Sequence, residues 1–249
     1  MKLRKGARLL ALLAGLATLL IGSVPAAAQD TTCGGANHCY AIKRVTFPSQ
    51  GAYQISSQQK WTCQAVVSKT ADHSTATMWA FSSAYDAWVE FGITTGTLTQ
   101  PGQSAQYVDR VWYEARGQIL ANGTLSYQEY LITTAAKPNR NQVYNTALRF
   151  DGAKWTPFVN NVAVGSLSSP LIGKIAAADA GAEITDSNVT NTGTFTNLGR
   201  QLWGASSTGG WTGTTTVRSS RDGVFTAATV TATGTSISFY NAEATAGCP

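Results

Sequence analysis

The chain has 249 residues, with 18 Lys+Arg against 13 Asp+Glu, four cysteines and charged residues at only 12% of the total. Four of the basic residues (Lys2, Arg4, Lys5, Arg8) precede every acid, so the rest is near neutral at 14 against 13, and the net charge gives no argument for nucleic acid or an anionic membrane as partner. Sparse charge with abundant Thr, Ser, Gly and Asn speaks against a helical cytoplasmic protein and suits an exported all-β one.

Residues 1–28 read as a secretory signal peptide. The basic start leads into an apolar run from Leu9 to Gly22, and Ala26-Ala27-Ala28 supplies small residues for cleavage after Ala28. The apolar run is short for a spanning helix, and no later segment is apolar enough to cross a bilayer, so a secreted chain is expected, with no membrane partner after cleavage. About 220 residues remain, enough for one domain, 29–249, expected to be a monomer.

Strands are predicted at Cys39–Phe47, Trp61–Lys69, Thr77–Phe81 and Ala87–Thr94, with a polar Ser/Gln-rich link between the first two. Tyr107–Leu120 and Thr124–Thr133 flank Asn122-Gly123, a type I′ hairpin signal. Val143–Phe150, Lys154–Val159 and Val162–Gly165 form a meander through turns at Asp151-Gly152 and Asn160-Asn161, and Pro157 suggests an edge or a bulge. Pro170–Ala178 is expected to hold a helical turn or two. Strands follow at Ala180–Thr185, Phe195–Trp203, Thr214–Arg218, Val224–Thr231 and Thr235–Tyr240. Many short strands, tight turns and no sustained helical period predict a single antiparallel β-sandwich or barrel.

The four cysteines, Cys33, Cys39, Cys63 and Cys248, favour two disulfides in an exported protein. Three pairings are possible; Cys33–Cys39 with Cys63–Cys248 is the preferred one. No metal-ligand cluster and no phosphate-binding loop are present, so no metal and no cofactor are expected. The two histidines, His38 and His73, lie in a cysteine loop and in a polar, surface-type segment. With no nucleophile-elbow sequence, a Ser-His-Asp triad is disfavoured.

Carboxylates remain. In Trp88-Val89-Glu90-Phe91-Gly92-Ile93-Thr94, strand alternation puts Val89, Phe91 and Ile93 on a core face and Trp88, Glu90 and Gly92 on the other. Glu183 lies likewise opposite Ala182 and Ile184, beside Gly181, where small neighbours leave room for a groove. Glu114 shares a face with Arg110, Trp112 and Arg116; Glu129 lies with Tyr127 and Leu131. Each is either a solvated sheet residue or a groove carboxylate. Trp88, Trp112 and Tyr113 are candidate groove walls, with Trp88, Trp112 and Glu114 the candidate substrate-binding residues.

Trp88-Val89-Glu90-Phe91-Gly92 resembles the Glu-x-Gly stretch of neprosin-type glutamic peptidases. Lys154-Trp155-Thr156-Pro157-Phe158, Val164-Gly165, Pro170-Leu171 and Ala180-Gly181-Ala182-Glu183-Ile184 follow the order of that family's second half. The likeness runs over about Ala87 to Asp186. Ile93 stands where the family has Trp, Ala180-Gly181-Ala182 replaces Trp-Gly-Gly, and the family's cysteine-bearing segment between the motifs is missing. The stretch 148–166 is also similar to the central meander of concanavalin-like sandwiches, which implies a jelly-roll β-sandwich. The neprosin resemblance implies that Glu90 and Glu183 are a catalytic pair hydrolysing peptides at acidic pH. A non-catalytic carbohydrate- or cell-wall-binding domain is the alternative, its aromatic face offering flat apolar surface to sugars. A glycoside hydrolase fits less well, because the alternating Glu-x-Asp-x-Glu strand is absent. The expected partner is thus a peptide or a polysaccharide.

Overall fold

A computed structural model of the chain describes residues 39–66, 69, 73–165, 173–184, 189–206, 209–211, 216–219 and 231–240. The expected signal peptide, Cys33, Cys248 and most of the predicted strand Val224–Thr231 lie outside the described residues. Neither described cysteine, Cys39 nor Cys63, is a free thiol.

The described strands are β1 (Cys39–Thr46), β2 (Ala52–Ala65), β3 (His73–Phe81), β4 (Ala87–Leu98), β5 (Gln106–Ile119), β6 (Leu125–Leu131), β7 (Tyr144–Phe150) and β8 (Trp155–Val159). Then come β9 (Val162–Ala163), β10 (Ala177–Ile184), β11 (Thr190–Leu202), β12 (Gly209–Gly210), β13 (Thr216–Ser219), β14 (Thr231–Thr233) and β15 (Ser236–Tyr240). They form two antiparallel sheets, β13-β1-β10-β3-β4-β5-β6 and β14-β15-β11-β2-β7-β8-β9, with β12 added to β11. The fold class is therefore an all-β sandwich, as the strand pattern predicts.

The core lies between the sheets. Val89, Phe91 and Ile93 of β4 are fully buried there with Ile55, Leu148, Trp155 and Phe195 of the opposite sheet. Trp112 of β5 stacks on Phe91 at 5.5 Å and meets Tyr144 of the other sheet edge-on at 5.2 Å. Burial of a side chain this large contributes about 3 kcal/mol.

Three local expectations change. The polar link before Trp61 is strand: β2 starts at Ala52, and the inward-pointing Ser57 and Gln59 each make a hydrogen bond. Ser57 Oγ lies 2.7 Å from Thr146 Oγ1, and Gln59 Nε2 donates to the Ala76 carbonyl of the facing sheet at 2.7 Å. Buried polar groups are tolerated when hydrogen-bonded, so the polar run does not interrupt the strand. The turn at Asn122-Gly123 is not type I′. Only Gly123 has positive φ (80°), and its N–H donates to the Leu120 carbonyl, giving a wider loop closed by glycine. Asn160 and Asn161 do both have positive φ (49° and 66°), as a two-residue type I′ turn requires. Finally, Ala177 and Ala178, expected in a helical turn, are strand residues of β10, zipped between β1 and β3. An alanine-rich run is a helix former in isolation, but two flanking strands override that propensity.

Candidate active site

The outer face of the seven-stranded sheet is laid out by register. Residues directly opposite in neighbouring strands share a face. Three cross-strand rows follow. One holds Arg44 (β1), Asp179 (β10), Trp79 (β3), Glu90 (β4), Ala115 (β5) and Glu129 (β6). The middle row runs Ile42, Gly181, Thr77, Gly92, Tyr113. The third runs Tyr40, Glu183, Thr75, Thr94. Glu90 and Glu183 thus stand on one face, two strands apart, at the two ends of a diagonal that crosses the middle row at Thr77.

Glycine flanks Thr77 on both sides for a steric reason. A Cβ on Gly92 would come 2.2 Å from the Ala76 carbonyl oxygen, and one on Gly181 would come 2.0 Å from that of Ala41. No side chain fits at either position without moving a neighbouring strand. The middle of the diagonal is therefore clear of side chains from β4 and β10.

Glu90 is 4% exposed and held by three hydrogen-bonding side chains. The Trp88 indole donates to Oε1 at 2.6 Å, while the Tyr113 and Tyr127 hydroxyls contact Oε2 at 3.1 and 3.2 Å. Trp88 reaches this position because β5 has Gly117 opposite it: a Cβ there would lie 2.1 Å from the indole ring. Tyr127, the β6 residue opposite Gly117, stacks on Trp88 with 6.4 Å between centroids. Burial first, and the charge of Glu183 second, push the Glu90 carboxyl from its ordinary 4.5 up to about 8; the hydrogen bonds from Trp88 and Tyr113 pull it down but do not win.

The donor set fixes where that proton sits. An indole N–H can only donate, so Oε1 must accept, and the carboxyl proton is on Oε2, facing the tyrosines. Tyr113 can take it. Its hydroxyl also lies 2.7 Å from Thr77 Oγ1, where either oxygen can be the donor. With Glu90 protonated, Tyr113 accepts from Oε2 and donates to Thr77; with Glu90 ionised, both bonds reverse. The site satisfies both protonation states without moving a heavy atom.

Glu183 is 7% exposed. Its cross-strand neighbour Tyr40 hydrogen-bonds it, and burial of that phenol, followed by the Glu183 charge, raises the Tyr40 pKa well above its ordinary range. His73 Nε2 lies 3.5 Å from Glu183 Oε1. Asp179, four residues earlier on the same face, is engaged by Arg44 through two bonds of 2.6 Å.

Of the residues singled out from sequence, Glu90, Glu183, Trp88 and Tyr113 come together on this face. Trp112 and Glu114 do not. They alternate onto the inner side of β5, where Trp112 is core and its indole donates to the Ala136 carbonyl at 3.0 Å, and where Glu114 lies against Gly165. Only every second residue of a strand can share the Glu90 face, and the partners of Glu90 and Gly92 are Ala115 and Tyr113. The aromatic platform expected from Trp88 with Trp112 is instead Trp88 with Tyr127. His73, expected on the surface, is half-buried beside Glu183, and Tyr40 was not singled out. The outward alternation of Tyr40 with Ile42 marks the right face of β1, but nothing local reveals that β1 pairs with β10, 141 residues further on at Ala41↔Ala182. Among the described residues, no group of three His, Cys, Asp or Glu side chains is arranged to hold a metal ion.

No family model and no curated protein sequence matches the chain. Solved structures do. Scytalido-glutamic peptidase bound to a transition-state-analogue inhibitor is 10% identical, with a TM-score of 0.55 over 82% of this chain and 98% of that one. The same peptidase with a peptide-based analogue is 11% identical, with a TM-score of 0.52 over 83% and 98%. A carbohydrate-binding module from Bacillus subtilis is 9% identical, with a TM-score of 0.34 over 69% and 97%. At these identities the likeness to the peptidase is one of fold: this chain has the β-sandwich on which a glutamic peptidase is built.

Proposed function

We propose that the chain is a secreted glutamic endopeptidase that cleaves peptide bonds with Glu90 and Glu183. The single observation that carries this reading is the pairing of two nearly buried carboxyls on one sheet face, one of them holding its proton to about pH 8 partly because of the other. Two acids that push each other's proton affinities apart are suited to divide acid and base roles. The sandwich shared with a known glutamic peptidase and the neprosin-like order of the two Glu motifs support the same reading.

In the mechanism, ionised Glu183 takes a proton from a water whose oxygen attacks the peptide carbonyl carbon. Glu90 gives its Oε2 proton to the carbonyl oxygen, forming a neutral gem-diol. The C–N bond then breaks; the nitrogen takes the proton from Glu183, and one diol hydroxyl returns its proton to Glu90 as the new carboxyl forms. Both carboxyls end as they began. Tyr113 and Trp88 hold Glu90 through the cycle, and Tyr113 follows its changes of charge by reversing its bond with Thr77. The upper edge of the working pH window is the release of the Glu90 proton.

The test is cleavage of an unfolded protein substrate by the mature chain between pH 3 and 8, alongside Glu90→Gln and Glu183→Gln. Loss of cleavage in both variants with unchanged circular dichroism is expected. Retained cleavage in either rules out the pair.

A further inference from the structure

The two carboxyls are held by different kinds of neighbour. Glu90 is surrounded by neutral hydrogen-bonding groups: Trp88 from its own strand, Tyr113 from β5 and Tyr127 from β6. Glu183 has Tyr40 facing it from β1, His73 from β3, and the charge of Glu90 acting on it from β4, with Tyr113 reaching in from β5. Asp179 on its own strand is taken up by Arg44. His73 therefore sets an imidazole nitrogen against Glu183, while the neighbours that bond Glu90 bring no charge to it. His73 reaches Glu183 because it shares a face with Thr75, the direct cross-strand partner of Glu183, one pleat along β3.

We propose that His73 is a positioning residue: its imidazolium holds Glu183 as the carboxylate and so directs the single proton of the pair to Glu90. The 3.5 Å contact then adds to the burial of Glu90 in assigning Glu183 as base and Glu90 as acid. An opposite charge within 4–6 Å lowers a carboxyl's proton affinity by about 10-fold or more. The catalytic meaning of this assignment rests on the peptidase reading; the charge coupling itself does not.

The experiment is a pH titration of the Glu side-chain carboxyl carbons by NMR in the 13C-Glu-labelled mature chain, with Glu183→Gln supplying the assignment. His73→Gln is compared with His73→Lys, which restores a cation of similar reach. His73→Gln is expected to move the Glu183 midpoint up by about one pH unit. His73→Lys is expected to return it, and the acid limb of any peptidase pH profile is expected to move in parallel. An unmoved Glu183 midpoint in His73→Gln overturns the proposal, as does a midpoint that moves equally in the lysine variant. A shifted titration in a chain that cleaves no peptide keeps the coupling and removes the peptidase reading; cleavage with an unshifted titration does the reverse.

Discussion

Replacing Glu90 with glutamine tests the physics of the site without reference to any substrate. In the folded chain Glu90 keeps its proton to about pH 8, whereas the unfolded chain releases it near the ordinary value of 4.5. Between those values the native state binds more protons than the unfolded one, so stability must fall as pH rises. At about 1.4 kcal/mol per pH unit, this residue alone removes about 3 kcal/mol by pH 7 and about 5 kcal/mol once pH passes 8. Below pH 4.5 both states are protonated and the residue has no pH-dependent effect. Glutamine cannot ionise, keeps an oxygen to accept from Trp88, and places an amide against Tyr113 and Tyr127. Glu90→Gln should therefore match the wild type in urea denaturation near pH 4 to within about 1 kcal/mol, and exceed it by about 3 kcal/mol at pH 7. Parallel stability curves across pH 4–8.5 would falsify the claim that a buried, proton-holding carboxyl sits at this position.

Other expectations concern its supports. Gly117→Ala should push the Trp88 indole off β5, costing about 1–3 kcal/mol and breaking the donor to Glu90; a changed tryptophan emission spectrum with lowered cleavage checks it, and wild-type emission counts against the packing described. Tyr113→Phe removes the hydroxyl between Glu90 and Thr77; it should cost about 1 kcal/mol in urea denaturation and lower kcat by at least about 10-fold, with KM little changed. Asp179→Ala strands the mostly buried Arg44 and should cost about 3–5 kcal/mol, measured by the same denaturation. Trp112→Ala, on the inner face, should cost about 3–5 kcal/mol of stability while leaving the pH dependence set by Glu90 in place.

The parts of the fold that the sequence makes legible are those governed by period two. Val89, Phe91 and Ile93 could be assigned to the core, and Trp88, Glu90 and Gly92 to the opposite face, because alternation is a property of one strand. The same holds for Ala182 and Ile184 against Gly181 and Glu183. What alternation cannot supply is which face of one strand continues which face of another. Trp112 was grouped with Glu114 correctly as a face, yet that face belongs to the core, because Tyr113 rather than Trp112 is opposite Gly92. His73 failed for a related reason: its polar neighbours suggest solvent, while its surroundings are set by β10, more than a hundred residues further on. Ser57 and Gln59 hid β2 because burial of polar groups depends on partners in the facing sheet.

The interleaving of interior and outer residues along β4 and β10 has a consequence for how such a sheet can change over time. Adding or deleting one residue upstream of Glu90 within β4 would turn Phe91 outward and the carboxyl into the greasy layer, exchanging the two roles at a stroke. Lengths here are frozen, and variety must come from swapping side chains in place.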